Sequence, residues 1–123
     1  NIFVAQFIGT PKMNILPLNN ENIVSDNKIN FLGNEIIFEK IKFDKKKYFL
    51  GIRPEHFNLS SSSQFKIKPK IDLVENLGNE KIVYMSNDNL ELSAKISSQE
   101  DFQNEINFDL KDIFIFDEDG NRV

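Results

Sequence analysis

A mainly β fold is what this sequence predicts, on three observations. Beyond the first dozen residues, apolar side chains recur with a period of two rather than 3.6. Glycines, prolines and Asn/Asp pairs punctuate that stretch at short intervals, which is the spacing of short strands joined by tight turns. Helical spacing is clear only over residues 1–9. At 123 residues the chain is long enough for one compact core and too short for two full ones.

The elements follow in order. In the first nine residues Phe3 faces Phe7 and Val4 faces Ile8, with Asn1 placed as an N-cap and Gly9 and Pro11 as the stop, so residues 1–12 are expected to be a linker helix. A helix this short is marginal alone, and its stripe of Phe3, Phe7 and Ile8 must dock on this core or on a neighbouring domain. The chain starts with Asn and turns apolar within three positions, so the sequence is expected to continue upstream. Residues 13–59 form a first strand set. Lys28–Phe31 and Glu35–Phe38 flank Gly33-Asn34 as a hairpin, with Gly33 expected at the first central position of a type II′ turn. Tyr48–Ile52 is a continuous apolar run stopped by Pro54, hence a strand buried on both faces.

The serine-rich stretch 60–64 is a link. After it, residues 65–123 carry five strands. The first has Phe65, Ile67, Ile71 and Leu73 alternating with charged residues, and Pro69 marks an edge or bulge. Ile82–Met85, Leu90–Ile96, Ile106–Leu110 and Ile113–Phe116 supply the other four. Between the third and fourth, Ser97 and Glu100 have capping-box spacing and predict a turn or two of helix. Five strands with a helix after the third is the order of an OB-like barrel, which the strands of 13–59 would extend.

Composition removes much chemistry. There is no cysteine and one histidine, so disulfides, thiolate sites and two-histidine metal sites are excluded, and metal is not expected. The glycines are scattered, so no P-loop forms and no cofactor is expected on this stretch. His56 lacks the strand-turn-helix elbow that would orient a serine nucleophile, and is read as an exposed or capping histidine. Asp117–Asn121 resembles part of a calcium loop but lacks the ligand ladder, and reads as an acidic turn. The chain is therefore not expected to be an enzyme by itself. Net charge is −4, and Lys66, Lys68 and Lys70 alternate with no aromatic partners on their face, so nucleic acid is not an expected partner. Lys45–Lys47 reads as a solvated turn. The longest apolar runs fall far below the ~20 residues of a membrane span, which predicts a soluble chain.

Four segments in this order resemble a known family. Asn1–Asn14 is similar to the junction between the ATPase domain and the C-terminal domain of carbohydrate-type ABC importers. Gly51-Ile52-Arg53-Pro54-Glu55-His56, Val74-Glu75-Asn76-Leu77-Gly78-Asn79-Glu80 and Phe116–Arg122 resemble three motifs within that C-terminal domain. One glycine usual in the family, before the penultimate strand, is absent around Asn104-Glu105. The resemblance is to MalK-like and UgpC-like ATP-binding subunits, and it implies a TOBE-type, OB-like regulatory domain over residues 13–123. It also implies an upstream ATPase domain that holds ATP and magnesium, a second copy of the subunit forming a homodimer, and membrane subunits reached through the ATPase domain. A regulatory protein in some members and a location at the cytoplasmic face of the membrane follow from the same source. Phe3, Phe7, Ile8, Arg53, Glu55 and Glu75 are the contact residues expected on that reading. Arg53 and Glu55 have an alternative role, as an internal lock at a strand end. The rival reading is a free-standing OB-fold oligonucleotide-binding protein.

Overall fold

In the computed structural model the described residues are 11–123, and the expected helix over residues 1–9, with Phe3, Phe7 and Ile8, lies outside them. The rest is mainly β, in eleven short strands and three single-turn 3-10 segments. All strand pairs are antiparallel. Four small sheets result. The first is β1 (Asn14–Leu18), β5 (Tyr48–Ile52) and β11 (Phe114–Phe116), with β5 central. The second is the meander β2 (Ile23–Ser25), β3 (Lys28–Phe31) and β4 (Asn34–Ile37). β6 (Phe65–Ile67) pairs with β10 (Ile106–Phe108), and β7 (Lys70–Asn76), β8 (Glu80–Asn87) and β9 (Leu90–Ser97) make the fourth.

One core joins them. Leu50 and Ile115 from the first sheet, Ile29 and Phe31 from the second, Phe108 from the third and Met85 and Ala94 from the fourth belong to a single buried cluster. Among the described residues the ladders do not close into a ring, so the arrangement is an open, OB-like wrap. Polar side chains stitch the gaps. The Asn34 amide donates to the Lys66 carbonyl at 2.8 Å, linking the second and third sheets. Buried Asn14 ties β1 to β9: its Nδ2 donates to the Ser93 carbonyl at 2.9 Å, and its Oδ1 accepts from the Ser93 N–H at 2.7 Å.

The serine link does not divide the molecule, because β5, before it, is hydrogen-bonded to β11, after it. The period-two reading of Leu90–Ile96 is met: Leu92, Ala94 and Ile96 are buried and Leu90 is half-buried, with Leu92 and Ala94 opposite buried Met85 and Val83 of β8. Four local expectations are corrected. The first long strand is split at Pro69 into β6 and β7, and all of β7 is exposed, Leu73 at 60 %. A bulge between Ile71 and Leu73 breaks the alternation, and β7 is an edge strand, so its apolar residues have no sheet beyond them to cover them. The hairpin turn is centred on Leu32-Gly33, both with positive φ (48° and 86°), which is the pattern of a type I′ turn rather than II′. Only half of the capping box forms: the Ser97 N–H donates to Glu100 Oε1, but the Glu100 N–H donates to the Ser97 backbone carbonyl and Ser97 Oγ accepts from the Gln99 N–H, which closes a single turn without a helix. The Ile106–Leu110 run is strand only to Phe108, where a 3-10 turn over Leu110–Asp112 begins the approach to β11.

Asn104 has φ 73°. Asparagine tolerates the left-handed region far better than β-branched residues do. Asn104→Gly is therefore expected to leave stability within about 0.5 kcal/mol, and Asn104→Val to lower it by about 1–2 kcal/mol. Urea unfolding of the pair is the check; equal midpoints would show that the backbone relaxes out of this conformation.

Candidate functional site: a cationic, aromatic sheet face

β5 is central because its sequence is apolar on both sides, and the two sides do different things. Tyr48, Leu50 and Ile52 face the main core, while Phe49 and Gly51 face outward. Neighbouring strands complete that outer face: Met13 and Ile15 at the start of β1, Phe114 and Phe116 on β11. Met13 and Phe116 are buried in this second, smaller cluster, with Ile15, Phe49 and Phe114 packed half-buried against them. Gly51 makes room for it. A Cβ at this position would sit 2.7 Å from the Met13 sulfur and 3.0 Å from the Phe116 ring.

Cations rim the face. The Arg53 guanidinium lies 5.8 Å from the centre of the Phe114 ring and that of Arg122 lies 4.7 Å from the same ring. Lys47 sits 5.4 Å from the centre of Phe49. The Phe114 and Phe116 rings are stacked, 6.5 Å apart and 21° from parallel. Local structure fixes both arginines. Arg53 is extended ahead of the 3-10 turn Pro54–His56, whose buried Pro54 pins the exit of β5. Arg122 is held by a bridge to Phe116 across the turn 117–121, in which Asp117 Oδ1 accepts the N–H groups of Asp119 (3.0 Å) and Asn121 (2.9 Å). The acidic run is thus a hydrogen-bonded turn. Lys45–Lys47 is exposed and is anchored by the Tyr48 hydroxyl, which accepts the N–H groups of Asp44 and Lys45, each at 3.1 Å.

The expected contact residues fall apart in space. Arg53 is on this face. Glu55 is exposed and forms no ion pair with Arg53, whose guanidinium lies instead over the Phe114 ring of the neighbouring strand β11. Glu75 is exposed on β7, in another sheet. His56 places Nδ1 3.8 Å from Asp112 Oδ1, a long contact that braces the turn after β5 against the turn before β11. Lys66, Lys68 and Lys70 are exposed. Phe49, Phe114 and Arg122 were not among the expected residues. A signal was present: Phe114 and Phe116 alternate with Ile113 and Ile115, which marks a strand covered on both sides, and the chain's only two arginines fall in two of the quoted motifs. Among the described residues no group of three His, Asp or Glu side chains is placed to hold a metal ion, and no helix is long and apolar enough to cross a membrane.

Fold and face together define an open OB-like β module with a cationic, aromatic sheet surface. No family model matches the chain. It is 40 % identical over 92 residues to the maltose/maltodextrin import ATP-binding protein MalK of Vibrio cholerae, which covers 70 % of this chain and 24 % of that protein. The MalK of Yersinia pestis is 36 % identical over 90 residues (69 % and 24 %), and that of Vibrio vulnificus 35 % over 91 (70 % and 24 %). The chain thus matches about a quarter of the length of these curated relatives. Over that stretch it is a homologue of the MalK-type import ATP-binding proteins.

Proposed function

We propose that this chain is the C-terminal regulatory and dimerisation region of an ATP-binding subunit of an ABC importer for carbohydrates or glycerol-3-phosphate. One observation carries the reading. Similarity to maltose/maltodextrin import ATP-binding proteins covers most of this chain and only a quarter of theirs, which is what an accessory domain joined to a larger ATPase produces. The TOBE-type motifs lie on an OB-like wrap in support of it. On this reading ATP and magnesium belong to an ATPase domain upstream, the membrane subunits are reached through that domain, and the assembly works at the cytoplasmic face. The domain itself performs no hydrolysis and holds two subunits together while receiving regulatory contacts.

Association of two isolated domains must first overcome several kcal/mol of lost rigid-body freedom. Part of a larger interface therefore holds weakly alone. The expected result is a two-fold symmetric dimer in a concentration-dependent equilibrium with monomer, between the micromolar and millimolar range, with no ATP bound. Light scattering over a dilution series and calorimetry with ATP test both parts. A strictly monomeric species at millimolar concentration that also ignores its cognate ATPase domain overturns the reading, as does ATP turnover by the chain.

A further inference from the structure

We propose that the outer face of the β1–β5–β11 sheet is a docking surface for an acidic, apolar segment of a partner protein, with Arg53 and Arg122 as paired carboxylate receptors. Both of the chain's arginines converge on the ring of Phe114. Among the described residues neither has a carboxylate at ion-pair distance, although acidic residues outnumber basic ones 19 to 15. Of the thirteen lysines, Lys45, Lys66, Lys81 and Lys95 have a carboxylate within 4 Å, while Lys47, the third cation of this face, has none among the described residues. Two like charges held near one another on an apolar face, in an acidic protein, are left with unused donors. A ring fixes the plane of each guanidinium at little entropic cost and leaves its N–H fork open, the geometry that takes a carboxylate through two parallel bonds.

The floor between the cations sets the rest of the partner. Ile15, Phe49 and Phe114 are half-buried, so each keeps apolar area that a ligand of charge alone would leave wet. Arginine and aromatic side chains side by side are the composition of energetic centres in protein interfaces. A single-stranded nucleic acid fits less well. Its bases need free ring faces where Phe114 already carries two guanidinium groups, and its phosphates meet a net charge of −4. This surface is independent of the dimer reading.

Two arginines give two Nε–H signals in an ¹⁵N-resolved spectrum of the whole chain, which makes the test direct. The probes are a short synthetic peptide of alternating glutamate and leucine, its glutamine-leucine counterpart, inorganic phosphate and oligothymidylate. The glutamate peptide is expected to move both arginine signals and the Ile15 and Phe49 amides saturably. About tenfold weaker binding is expected for the glutamine peptide, for phosphate, and for Arg53→Gln or Arg122→Gln. Phe114→Leu should move both arginine signals towards those of a free side chain and weaken the peptide to a similar extent. Equal response to the two peptides, tighter binding of oligothymidylate, phosphate binding as tight as the glutamate peptide, or the same signals moving on simple dilution of the chain each overturn the proposal, the last in favour of a second copy on this face. Absence of any saturable shift overturns it outright.

Discussion

Replacing Phe108 by alanine is expected to lower the stability of the folded chain by about 4 kcal/mol, the largest effect of any single truncation here. Phe108 is fully buried on β10. Three rings surround it, each from a different part of the chain: Phe31 of β3 at 6.2 Å, Phe57 after the Pro54–His56 turn at 6.0 Å and Phe65 of β6 at 5.3 Å. The Phe31 and Phe57 rings meet it nearly edge-on, the favoured arrangement for aromatic pairs. Removing the central ring leaves a void whose walls belong to three segments that cannot all move inward together, and the penalty grows with the volume left open. A loss of this size approaches the whole stability of many domains, so Phe108→Leu is the companion variant, expected at about 1.5–2 kcal/mol. Urea unfolding followed by circular dichroism measures both. A Phe108→Ala loss under about 1.5 kcal/mol would mean that the second and third sheets can collapse onto each other, contrary to the packing described.

Asn14→Asp is expected to cost about 3 kcal/mol at neutral pH while changing the shape of the side chain hardly at all. Asn14 is buried and uses both ends of its amide: Nδ2 donates to the carbonyls of Ile52 and Ser93, both at 2.9 Å, and Oδ1 accepts from Ser93 N–H at 2.7 Å. Aspartate keeps the acceptor and loses the donor. It would place an ionised oxygen against two carbonyl oxygens with little water to screen them, and burial together with those carbonyls favours its neutral form. The sign of the pH effect follows. The folded pKa of the new carboxyl lies above its unfolded value, so the folded state binds more protons over that window and stability falls as pH rises through it. Below the unfolded value, about 4, the variant recovers part of the loss because the protonated acid donates one bond. Melting temperatures of variant and parent at pH 4 and pH 7 decide the matter. A difference between them that does not widen with pH would show that the introduced carboxylate is wet, and a difference near zero at both pH values that the tie between β1 and β9 is dispensable.

The parts of this protein that were legible in its residues are those governed by near neighbours. Alternation over Leu90–Ile96, the apolar run at Tyr48–Ile52 and the stop at Pro54 predict strands and an end, and the mainly β class follows, because side-chain period and backbone sterics act over two to four residues. The edge strand β7 escaped the same reasoning. Ile71 and Leu73 alternate as though one face were buried, and only the bulge between them and the absence of a further strand leave them in water. Position in a sheet is a property of the whole ladder. The turns at Leu32-Gly33 and Ser97–Glu100 show the same limit on a smaller scale, since strand twist and the direction of the next strand override what the local residues permit.

The candidate face was half visible. Arg53 stands beside a proline in a recognisable motif and invites attention by itself, and its obvious partner in sequence is Glu55, two residues on. In space its partner is Phe114, sixty-one residues away, shared with Arg122. Local sequence thus determined that this stretch would be strands around one core and which segments mark its kinship. Only the tertiary structure decided which charges meet which rings, because a cation and an aromatic face attract over a few ångströms and impose no spacing on the chain that connects them.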